Sequence, residues 1–140
     1  MSWDIMIFNM SGKPPPPISE MRESDCPPLG PAAEVRQRIS GIISGVDWSD
    51  PSWGIYEGDG FSIEFNVGKA DPIDNMMLHV RGGGDALTTI MAFARQLRWS
   101  VLDCSTGEFL DPLNPSQAGW EGFQTYRDDI FKEPKDSDED

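Results

Sequence analysis

The sequence predicts an α+β domain of two layers: a mixed or antiparallel sheet of about five strands, with two helices packed on one face. Three observations lead there. Short runs of strand character are interleaved with two segments whose apolar residues recur at the helical period. One run, Phe61 to Val67, alternates apolar and polar residues strictly, as a strand with a single buried face does. The segment before it, Glu57-Gly58-Asp59-Gly60, is rich in residues that tolerate positive φ and reads as a hairpin turn. The resulting order is β-α-β-β-β-α-β, followed by an acidic tail.

The elements follow in turn. Trp3 to Asn9 reads as a strand, and Ile5-Met6-Ile7-Phe8 is apolar at every position, which suits a central strand covered on both faces. Residues 11–30 carry Pro14-Pro15-Pro16-Pro17 and Pro27-Pro28 in a polar setting without periodicity. Proline donates no backbone N–H and resists helix, so this is a long extended loop. A polyproline ligand is one reading of it, and a plain connector the favoured one. Pro31 to Ile43 reads as a helix with Val35, Ile39 and Ile42 on one face and Gly45 beyond its end. Val46 to Gly54 has the composition of a structured loop, and short runs follow at Trp53–Tyr56 and Phe61–Val67. Met76 to Arg81 is the next strand, with Met76, Leu78 and Val80 inward and Met77, His79 and Arg81 outward. Gly82-Gly83-Gly84 breaks it. Asp85 is placed to cap a helix reaching about Trp99, whose stripe is Leu87, Ile90, Met91, Ala94 and Leu97. Ser100 to Cys104 is a strand onto which Glu108-Phe109-Leu110 can pair back. Trp120, Phe123 and Tyr126 form one face of a short helix or an irregular arm.

Residues 1–127 are therefore read as one domain and 128–140 as an acidic tail. The tail holds seven acids and two lysines, a net of −5, and its last residues are expected to be disordered.

Charge narrows the function. The 140 residues include 11 Lys and Arg against 24 Asp and Glu, a net charge of −13, while 38% are hydrophobic. That is a folded acidic domain, one that repels phosphate and attracts basic partners. Nucleic acid is not an expected partner, and neither is a membrane, since no apolar run reaches the length of a span. The start, Met1-Ser2-Trp3-Asp4, lacks the basic and apolar regions of an export signal, so the expected location is cytoplasmic, with Cys26 and Cys104 reduced. A single histidine, His79, rules out a multi-histidine metal site within one chain. Glu57-Gly58-Asp59-Gly60 lacks the register of a calcium loop. No cofactor or metal is expected.

Four features are candidate sites. The triple glycine before a helix can cradle phosphate, but there is no GK[ST] or GxGxxG, and Asp85 would occupy the anion's place. A tight turn with an internal cap is the better reading. Cys104, His79 and Asp103 hold the residue types of a nucleophilic triad, although a thiol is more often simply buried. On the outward sheet face, Glu64 and His79 occupy adjacent strands, with Asn66, Met77 and Arg81 nearby. A carboxylate beside a histidine can perform acid–base work, form an ordinary cross-strand contact, or belong to a docking surface. Docking is favoured. Trp48 and Trp53, flanked by Asp47 and Asp50, combine contact area with negative charge, as hot spots for basic partners do; plugging the end of the core is the equal alternative.

The segments Gly60 to Lys69, Met76 to Asp85 and Asp103 to Phe109 resemble ones found in small stand-alone bacterial proteins of uncharacterised type. In size, acidity and lack of a catalytic motif the chain is also similar to immunity proteins of bacterial polymorphic toxin systems. That second resemblance implies an antitoxin that binds one cognate toxin domain and blocks its active site, and the net charge makes a basic toxin domain the expected partner. The expected partner-binding residues are Asp47, Trp48, Asp50, Trp53, Glu57, Asp59, Glu64 and His79. The alternative is a small hydrolase or transferase using Glu64 and His79, with Cys104 as a further candidate.

Overall fold

The computed structural model describes residues 2–22 and 25–132. Strands β1 (Trp3–Phe8), β2 (Asp47–Asp50), β3 (Trp53–Glu57), β4 (Phe61–Asn66), β5 (Asn75–Gly82), β6 (Ser100–Asp103) and β7 (Glu108–Phe109) form one open sheet in the order β2-β3-β4-β5-β1-β6-β7. Every neighbouring pair is antiparallel. Helices α1 (Ala32–Ile42), α2 (Ala86–Leu97) and α3 (Ala118–Lys132) complete the α+β fold among the described residues.

The register explains the two faces. Partners across an antiparallel ladder point to the same side. Gly54, Phe65, Leu78, Ile5 and Asp103 stand in one cross-strand row, and their neighbours along each strand point the other way. The first side is the core. Ile5, Ile63, Phe65 and Leu78 are fully buried there, in one cluster with Val35 and Ile39 of α1, Ile90 and Phe93 of α2, and Trp120 of α3. All three helices thus cover the same side. Asp85 caps α2 by accepting from the Thr88 amide, and Asp71, from the connection after β4, accepts from the Ala32 amide at the start of α1.

Ile5 to Phe8 of β1 is apolar throughout because this part of its second face is also covered. Phe8, Met10 and Leu102 form a smaller cluster beneath Met21 and Cys26 of the proline-rich loop. That loop is more than a spacer: it contains a 3-10 turn at Ile18–Glu20 and closes at an isolated bridge between Gly30 and Ile73.

The sheet has two more strands than the expected five, and there is a third helix. β2 lies in the segment expected to be a loop. It is an edge strand, exposed except at Trp48, with a bulge between Asp47 and Asp50, so it shows no alternation to read. β7 is the short return at Glu108–Phe109. α3 contains Gly119 and Gly122, which weaken its intrinsic propensity. Gly119 is there for a steric reason: a Cβ at that position would run into the Asp103 carboxylate. α3 continues through the expected boundary at 127/128 as far as Lys132. The expectation for residues 133–140 lies outside the described residues.

No helix among the described residues is long and apolar enough to cross a membrane.

Candidate functional site

On the side of the sheet away from the helices, the β6–β1 half lies under the proline-rich loop, whereas no helix covers the β3–β4–β5 half among the described residues. Hairpins β2–β3 and β3–β4 build that open half. The register aligns Asp47, Ile55, Glu64, His79 and Asp4 in one row across five strands. A second row holds Trp53, Asn66, Met77 and Met6, and a third Glu57, Ser62 and Arg81.

These side chains are held by one another. His79 Nδ1 lies 2.8 Å from Asp4 Oδ1, an arrangement that selects the tautomer with the proton on Nδ1 and leaves Nε2 for another partner. Trp53 reaches diagonally across β4 and stacks on the imidazole, with ring centroids 5.5 Å apart and planes 19° from parallel. Arg81 Nη1 stands 2.9 Å from Glu64 Oε2, off the direction of a hydrogen bond, so the pair is ionic and that nitrogen is shielded without an acceptor. Burial pushes the Asp4 carboxyl up, but the Ser2 hydroxyl, His79 and Arg81 together outweigh it and hold Asp4 below its ordinary range. Asp47 and Asp50 are likewise held low, each by the hydroxyl and amide of the serine two residues on. All three remain carboxylates at neutral pH.

The face is broad and shallow. It carries a depression of about 460 Å³ bounded by Met6, Asn66, Asp74, Met77 and His79. Ile55 is 40% exposed beside Trp53. Five carboxylates (Asp4, Asp47, Glu57, Glu64 and Asp74) share this side with the Arg81 guanidinium.

Of the residues singled out in the sequence, Asp47, Trp53, Glu57, Glu64 and His79 share this face. Trp48 does not. Its ring packs on Gly54 and Phe65 on the helix side, and its indole N–H donates to Ser40 Oγ at 3.1 Å. Asp50 lies at the exposed β2–β3 turn and Asp59 at the exposed tip between β3 and β4. Cys104, His79 and Asp103 are not brought together. Asp4 on β1 stands between His79 on β5 and the end of β6, and Asp103 points to the helix side, where it accepts from the Trp3 indole and from Ser105. Burial, with Asp4 and Asp103 adding to it, pushes the Cys104 thiol up, so it is held protonated. His79 has a different carboxylate partner, Asp4, which the sequence reading missed because β1 reads as apolar on both faces. The signal lay in the parity of β1: Asp4, Met6 and Phe8 face one way. Among the described residues no group of three or more His, Cys, Asp or Glu side chains is arranged to hold a metal ion.

No protein-family model, curated protein or solved structure matches the chain.

Proposed function

We propose that the chain is an acidic protein-binding module of the immunity type, which docks its open sheet face on a basic cognate toxin in the bacterial cytoplasm and blocks the toxin's active site. The observation that carries this reading is the uncovered β3–β4–β5 half-face. There a stacked Trp53 and an exposed Ile55 provide rigid apolar contact area, rimmed by Asp47, Glu57, Glu64 and Asp4. Aromatic anchors at the centre of a charged rim are how interfaces concentrate binding energy. A net charge of −13 would speed encounter with a basic cleft. Broad, shallow relief suits a protein surface better than a small substrate.

The test is affinity purification of the tagged chain from its native host, washed first at low and then at high salt. One basic, stoichiometric protein that leaves at high salt is expected, and its toxicity on expression should be relieved by co-expression of this chain. The absence of any stoichiometric partner at low salt would sink the reading.

The Asp4–His79 pair favours a second reading, in which Nε2 of His79 serves as a general base in a small hydrolase or transferase, with Glu64 assisting. It separates from the first through His79→Gln, which should abolish turnover under the second reading and only weaken binding under the first.

A further inference from the structure

We propose that a separate cleft, at the C-terminal end of α2, binds a small amphipathic anion: an oxyanion head on an apolar or aromatic body. The cleft holds about 620 Å³, within the range of small-molecule sites. It lies by β6 and β7, at the opposite edge of the sheet from β2 and β3, so it is independent of the open face. Three cations line it: Lys13 from the proline-rich loop, and Arg95 and Arg98 from the end of α2. Pro14, Trp99, Phe109 and Leu113 supply apolar walls, and Asp111 is the one carboxylate in the lining.

Charge makes this gathering notable. The chain has 11 cations against 24 acids, yet three of the cations converge here and none of them pairs with a carboxylate among the described residues. One is held by backbone instead, and a second lies against it. Arg95 Nη1 donates to the Pro112 carbonyl at 3.2 Å. The Arg98 guanidinium lies so close over Gly12 that a Cβ there would sit 3.0 Å from Nε. A cation at a helix C-terminus complements the dipole, which accounts for charge at Arg95 and Arg98. It does not account for Lys13, which comes from a different segment and meets them across the cleft.

The backbone adds a second observation. Among the described residues, the non-glycine residues with positive φ are Ser11, at 57°, and Arg98, at 59°. One lines the cleft and the other adjoins its Gly12. At Arg98 this conformation is the left-handed cap that ends α2 and turns the chain into the cleft wall at Trp99. Leu113, 91% exposed at the mouth, is an apolar side chain that a ligand body would cover.

The test titrates the full-length protein with 8-anilinonaphthalene-1-sulfonate, following probe fluorescence and the chemical shifts of the isotopically labelled chain. Saturable binding is expected, with shifts at Gly12, the Trp99 indole and Leu113, and poor competition by the uncharged N-phenyl-1-naphthylamine. Arg95→Gln combined with Arg98→Asn, which keeps a residue tolerant of the left-handed region, should weaken binding about tenfold. Lys13→Glu, on the loop, should weaken it in the same direction without touching the helix, and so guards against a misfolded double variant. Unchanged affinity in both variants would overturn the proposal. So would shifts confined to the Trp53–His79 face, or no saturable binding at millimolar probe.

Discussion

Asp4 shows how a single residue sets the state of the open face. Its carboxyl is held low against the pull of burial by Ser2, His79 and Arg81. A carboxyl whose folded pKa lies below its unfolded value of about 3.8 contributes stability that is fully present above that value and is lost as pH falls through the folded one. Asp4→Asn should therefore flatten the loss of stability on the acid side of pH 4. Urea unfolding of both proteins across that range checks it, and an unchanged acid slope would contradict the pairing. On the helix side, Gly54 has no room for a side chain, since a Cβ would lie 2.6 Å from the Trp48 ring. Gly54→Ala should cost about 1–3 kcal/mol of stability, read from urea midpoints together with a shift in Trp48 emission. Legibility at this scale followed alternation. Glu64 and His79 fall on the outward face because β4 and β5 alternate cleanly, whereas Trp53 reaches it through the register of β3, which shows no such alternation. By composition Trp48 reads as part of a loop shared with Trp53, but in a strand it takes the parity opposite to Asp47 and so turns to the core.

At the scale of elements, β2 is what the sequence did not disclose, and α3 is what it left open between a short helix and an irregular arm, for different reasons. β2 draws its order from pairing with β3, not from burial of its own, and edge strands are often charged in just this way. α3 is held by docking, not by propensity. Trp120 is 2% exposed, stacks on Phe123, packs at a tilt against Trp3, and donates its indole N–H to the Gly84 carbonyl at 3.0 Å. Tertiary contact overrides the glycines. Trp120→Ala should cost about 3–5 kcal/mol, as buried aromatic deletions do. Trp120→Phe keeps much of the packing and should lose about 1 kcal/mol from the missing hydrogen bond plus a smaller packing deficit. Chemical denaturation of the two variants tests the ranking, and equal losses would show that the stacked ring is not what anchors α3.

For the whole molecule, the α+β class and the one-sided placement of helices were legible because Phe61–Val67 and Met76–Arg81 alternate while Leu87–Leu97 repeats at the helical period. The division of the second face was not legible, since nothing local says that a proline-rich loop folds back over one half and leaves the other bare. That division is what turns an acidic composition into a directed surface. Charge reversal at Asp47, Glu57 and Glu64 together should slow association with a basic partner by about tenfold or more at low salt and flatten its salt dependence, as stopped-flow mixing would show. The central claim, that the bare half-face is the contact surface, is tested most directly by hydroxyl-radical footprinting of the captured complex. Protection of Trp53, His79 and Met77 on binding, with Leu113 and Tyr126 unchanged, is the predicted pattern. Protection elsewhere, with Trp53 and Met77 as reactive in the complex as in the free protein, would contradict it.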